Sequence, residues 1–104
     1  MNLPKHIPKK FYWLFWDSNA SKLDPSKYPY HVILRILDVG TPDSEKWLLK
    51  RFPKELIIET MNKLRGWTYL KSAEKWRNYF NLDKKDMAVF DEYYLKHGRS
   101  VWPY

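Results

Sequence analysis

One stretch constrains this chain more than any other: Tyr30–Gly40, YHVILRILDVG. Tyr30, Ile33, Leu34 and Leu37 recur at the i, i+3, i+4, i+7 spacing of a helix face, and Val32, Ile36 and Val39 fill the flank between them. An apolar band that wide needs neighbours on more than one side, so the rest of the chain has to pack around it. Pro29 suits a first helical turn, where its missing N–H costs nothing, and Gly40 suits a left-handed position just past the end. A single charge, Arg35, interrupts the band. Either its stem snorkels to the surface or its guanidinium meets a carboxylate.

Punctuation around this helix predicts a series of short helices. Residues 1–10, with prolines among lysines, predict an extended, partly mobile arm. Phe11–Asp17, FYWLFWD, is apolar at nearly every position, and periodicity does not separate a short helix from an extended segment there. The expectation is a short helix or irregular segment laid across the core. Asp24-Pro25 marks the start of a turn. Thr41 is an N-cap candidate with Pro42 behind it, and Trp47, Leu48 and Phe52 form an inward stripe. Pro53 separates that helix from the next, where Leu56, Ile57, Met61 and Leu64 recur at helical spacing up to a stop at Gly66. Trp67–Leu70 favours an extended connection. From about Lys71 the pattern is helical, with Ala73, Trp76, Tyr79 and Phe80 inward. Asp83 is placed to cap a last helix, Lys84–Lys96, with Met87, Phe90 and Tyr94 on one side and Gly98 past its end. The sum is an all-α fold, a compact bundle of about five short helices: an arm over 1–10, one helical domain over 11–98 and a tail over 99–104.

At 104 residues the chain makes one domain. It contains no cysteine, which excludes disulfides and thiolate chemistry and fits a reducing, cytoplasmic setting. No apolar run approaches the ~20 residues of a membrane helix, and Phe11–Trp16 is too short and too aromatic for a signal peptide. Six tryptophans and eight tyrosines are more aromatic surface than so small a core encloses, so some rings are expected at the surface, where they favour partner contact. The candidates are Phe11, Tyr12, Trp13, Phe15 and Trp16. Net charge is +7, and residues 50–80, with eight basic and three acidic side chains, hold +5 of it. Such a field suits nucleic acid or an acidic protein surface.

Catalytic constellations are missing. His6, His31 and His97 are scattered, with no HxxxH or HExxH pattern, and His31 reads as a histidine at the core edge. The three glycines read as helix stops rather than a phosphate loop. No enzyme, metal or cofactor is expected. The one constellation with a physical rationale is helix–connection–helix, Pro53–Leu64 followed by Lys71–Phe80, a candidate helix-turn-helix. Lys71, Ser72, Lys75, Arg77 and Asn78 are types that contact phosphates and base edges of double-stranded DNA. Against it, Trp76, Tyr79 and Phe80 commit much of that helix to the core, and the connection is longer than usual.

LFWD (Leu14–Asp17), Leu23-Asp24, the apolar helix with Arg35 closed by Gly40, WLLKRF (Trp47–Phe52) and W-x-N-Y-F (Trp76–Phe80) occur in that order. Together they resemble a family of small uncharacterised bacterial and archaeal proteins, encoded beside nucleotidyltransferase-like toxins of the abortive-infection type. The resemblance spans about residues 11–80 and departs at Tyr28, where a histidine is common, and at Pro53, where a glycine often stands. It implies an antitoxin role in a toxin–antitoxin pair: a small partner that binds the toxin and binds DNA at its own promoter. It carries over no catalytic residue. Arg35, Trp47, Trp76 and Phe80 belong to its structural pattern, and Arg35 is expected to pair with Asp17, Asp24 or Glu59. The alternatives are a helix-turn-helix transcriptional regulator without a toxin partner, and a structural or regulatory subunit.

Overall fold

The pairing of helix with core is visible first in α1, Pro29–Val39. In the computed structural model, which describes residues 3–90, its Val32, Ile33, Ile36 and Leu37 are buried. Those four positions cover a face too broad for one neighbour, and α1 packs against all three other α-helices and the first 3-10 helix. The others are α2, Pro42–Arg51, α3, Lys54–Lys63, and α4, Leu70–Phe80. Four 3-10 helices complete the described residues: Lys9–Phe15, Ala20–Lys22, Lys84–Asp86 and Ala88–Phe90. The architecture is all-helical, with no strand among the described residues.

Local signals explain most boundaries. Pro29 opens α1 as expected. Thr41 and Ser44 form a reciprocal capping box at the start of α2: the Ser44 N–H donates to Thr41 Oγ1 at 3.3 Å, and the Thr41 N–H donates to Ser44 Oγ at 2.9 Å. Pro53 ends α2 and caps α3. Gly40 does not adopt the expected left-handed conformation. Its φ of −74° and ψ of 172° are extended, and the glycine is required for space instead. A Cβ there would lie 2.3 Å from the Ile36 carbonyl oxygen and 2.6 Å from Ser44 Oγ, so α1 and α2 turn too closely for any side chain.

Helix α4 has no side-chain cap of its own. Asp38, near the end of α1, supplies one: its carboxylate accepts from the Thr68 N–H at 2.8 Å and the Tyr69 N–H at 3.0 Å. Ser72 Oγ donates to the Asp38 carbonyl at 2.8 Å, and Trp76 Nε1 donates to the Leu37 carbonyl at 3.0 Å. These bonds tie the end of α1 to the start of α4. At its other end α4 closes in a Schellman motif, with Asn81 at φ 55° and the Leu82 N–H donating to the Arg77 carbonyl at 2.9 Å.

Four expectations are corrected. The arm is anchored, since Pro4 and Ile7 are buried and the first 3-10 helix begins at Lys9. Helix α3 ends at Lys63 through an extended Leu64, two residues before Gly66. Tyr79 is 62% exposed, its ring edge-on to Trp76 at 5.1 Å, outside the core. The last helix is broken over 84–90 into two 3-10 turns. Met87 and Val89 are both buried, and residues two apart cannot share an α-helix face, so the chain takes each inward from a separate turn. Asp83 does cap the first of these, accepting from the Lys85 N–H at 3.1 Å. Tyr94, Lys96, Gly98 and the tail lie outside the described residues.

Candidate functional site

The first 3-10 helix sorts its side chains into rows, because three residues per turn align i with i+3. Phe11 and Leu14 form one row, buried in the core. Tyr12 and Phe15 form a second, half-buried and buried. Lys10, Trp13 and Trp16 form the third, and it faces solvent: Trp13 is 58% exposed and Trp16 is 71% exposed. Trp16 follows directly on the helix in helical geometry. Of the five aromatic contact candidates, Phe11 and Phe15 are therefore core residues, and Trp13 and Trp16 carry the exposed surface. The core positions are explained by partners: Phe11 packs on Trp47 at 5.9 Å, and Trp47 on Phe52 at 5.7 Å.

Arg35 sets the position of Trp16. Its guanidinium grips both oxygens of Asp17, at 2.7 and 3.0 Å, and donates to the Leu14 carbonyl at 2.8 Å. It also lies 4.6 Å from the centre of a Trp16 ring, in cation–π contact. The expected pairing with one of three carboxylates is thus resolved as Asp17. The hydrogen bond from Arg35 holds the Asp17 carboxyl below its usual range.

Beside Trp16 opens a cleft of about 360 Å³, lined by Trp16, Asp17, His31, Leu34, Arg35, Asp38, Val39, Gly66 and Thr68. Its carboxylates are already satisfied, Asp17 by Arg35 and Asp38 by two backbone amides. His31 stands half-buried at the core edge, edge-on to Phe15 at 6.0 Å, and its Nε2 is buried without a hydrogen-bond partner. Burial, then the nearby Arg35 charge, push its pKa below the ordinary value, so the ring is neutral at physiological pH. The cleft thus presents apolar surface and satisfied charge, without a nucleophile–base pair. Among the described residues no three His, Asp or Glu side chains are grouped to hold a metal, and no helix is long and apolar enough to cross a membrane.

The five DNA-contact candidates lie on α4, largely engaged with the protein itself. Lys75 pairs with Glu45 at 3.1 Å, Arg77 donates to Glu74 and to the Leu82 carbonyl, and Asn78 accepts from Arg77. Ser72 Oγ is bonded to Asp38, while Lys71 is exposed. Helices α3 and α4 each pack mainly on α1 rather than on one another. Trp76 is buried, and Phe80 is half-buried and stacks on it at 6.0 Å. Sequence reasoning did not identify the cleft, because Gly66 and Thr68 reach it from a connection that shows no periodicity.

A family model described as a family of unknown function, DUF6922, matches residues 11–61, from the tryptophan row through most of α3. No curated protein and no solved structure matches the chain.

Proposed function

We propose that this chain is a protein-binding module, the small antitoxin-like or regulatory partner of a nucleotidyltransferase-like protein, and that it docks through Trp13 and Trp16. The observation that carries the reading is a row of two exposed tryptophans, Trp13 and Trp16, along a short helix whose other aromatic side chains are buried or half-buried. Tryptophan is among the residues enriched at the hot spots of protein interfaces, and two exposed in one row leave favourable burial unused. Trp16 is also pre-organised: Arg35, held by Asp17 and Leu14, fixes the ring, so binding sacrifices little side-chain entropy. The resemblance noted for the motifs supplies the class of partner. Double-stranded DNA along α4 is the weaker alternative, since Lys75 and Arg77 already face carboxylates.

Co-expression with a nucleotidyltransferase-like protein encoded beside it tests the reading. The two should co-purify and growth arrest by the partner should be relieved. Trp13→Ala and Trp16→Ala should each weaken the complex by roughly 30-fold, the loss expected for an aromatic anchor. Neither co-purification nor relief would dispose of the proposal.

A further inference from the structure

Positive charge is balanced unevenly over this surface. On α4, Lys75 faces Glu45 and Arg77 faces Glu74. Where α2 meets α3 that balance is missing: Lys46, Lys50, Arg51 and Lys54 are all exposed, and among the described residues none of the four pairs with a carboxylate. We propose that this junction binds the phosphate backbone of a duplex nucleic acid through those four side chains; the site goes beyond the protein-docking reading and is independent of it. Lys46 and Lys50 lie one turn apart on α2, so they share a face. Arg51 ends α2 and Lys54 begins α3, with Phe52 and Pro53 between them, so their Cα atoms are at most about 10 Å apart. The neighbouring carboxylates are engaged elsewhere: Asp43 pairs with Lys10, Glu45 with Lys75, and Glu55 stands in the first turn of α3, where it complements the helix dipole.

Two of these placements work against the helices that carry them. Like charges at i and i+4, as in Lys46 and Lys50, repel, and a cation at the first position of a helix, as in Lys54, meets the positive end of its dipole. An external anion relieves both. The apolar residues of the stretch do not project as an anchor: Leu48 and Phe52 are buried, and Trp47, Leu49 and Pro53 are half-buried. The junction therefore offers charge without the aromatic or aliphatic centre that protein interfaces use, and lysine is depleted at such interfaces. Phosphate contacts need only Lys and Arg. Residues 46–54 contain no Asn, Gln, Ser or Thr, so the set suits the backbone rather than base edges.

Fluorescence anisotropy with the full-length protein tests the site, using a labelled mixed-sequence DNA duplex, the matching RNA duplex and a labelled polyglutamate peptide. In about 50 mM salt a duplex should bind, and the logarithm of its affinity should fall with the logarithm of salt with a slope of roughly −3 to −4, as four phosphate contacts require. The variant Lys46→Gln/Lys50→Gln/Arg51→Gln/Lys54→Gln should lose at least about 30-fold and most of that slope. A control, Lys5→Gln/Lys22→Gln/Lys27→Gln/Lys71→Gln, removes the same charge from exposed lysines on other segments and should lose less than about 5-fold. Lys46→Gln and Lys54→Gln alone should each reduce the slope by about one unit, which keeps the test open if a quadruple variant does not fold. Circular dichroism checks the fold of each. Affinity for either duplex with this pattern supports the site, and the ratio of the two affinities separates DNA from RNA. No duplex binding at low salt, equal losses in the two quadruple variants, or slopes unchanged in both single variants overturns it. Tighter binding of polyglutamate than of either duplex also overturns it and assigns the junction to an acidic protein.

Discussion

Arg35 joins α1 to the aromatic segment that precedes it. Its guanidinium ties α1 to the first 3-10 helix through Leu14, to the following turn through Asp17, and to Trp16 through its π face. Arg35→Ala should lower stability by about 1–3 kcal/mol, because the Leu14 carbonyl and Asp17 lose their donor together. Arg35→Lys should recover only part of that, since an ammonium cannot reproduce the two-pronged contact. Urea denaturation measures both, and an unchanged midpoint for Arg35→Ala would contradict the structural role. His31 and Asp17 give the pH dependence. The folded pKa of His31 lies below its ordinary 6.5, so the unfolded chain binds the extra proton first and stability falls as pH drops below about 6.5. For Asp17 the folded pKa lies below the ordinary 3.8, so its contribution is intact above that value and is lost as pH falls through the folded pKa. Thermal midpoints should therefore fall between pH 7 and pH 5, less steeply in His31→Gln. The lowest-pH step should shrink in Asp17→Asn.

Between elements, the structure depends on junctions. Asp38 caps α4 from α1, so Asp38→Ala should destabilise by about 1–2 kcal/mol, with Asp38→Asn intermediate, in the same denaturation experiment. Gly40→Ala should cost about 1–3 kcal/mol by forcing α1 and α2 apart, and an unaltered thermal midpoint would contradict the close approach. These junctions also mark what a reader of the sequence could and could not find. The helices α1 to α4 are legible because 3.6-residue periodicity and Pro29, Thr41, Pro42 and Pro53 act locally. Asp38 is not legible as a cap, since its amide partners lie 30 and 31 residues away. Trp67, fully buried in an irregular connection, has no periodic neighbours to reveal it. Trp13 and Trp16 were in the right stretch, but separating them from Phe11 and Phe15 requires the three-residue period of a 3-10 helix. An unbroken apolar run does not disclose that period.

For the whole molecule, the central question is where an excess of aromatic surface and positive charge is used. Trp67 and Trp76 are core, Trp47 is half-buried between Phe11 and Phe52, and Trp13 and Trp16 remain outside. Much of the α4 charge is balanced internally, Lys75 by Glu45 and Arg77 by Glu74, and Lys10 on the first 3-10 helix pairs with Asp43. The molecule is built around α1, and the docking edge proposed for it lies on the first 3-10 helix. The most direct test is calorimetric titration of a nucleotidyltransferase-like partner into wild type and into the Trp13→Ala/Trp16→Ala double variant. The account predicts that the double variant loses at least about 30-fold in affinity while its thermal midpoint stays close to wild type; equal affinity in the two would contradict it.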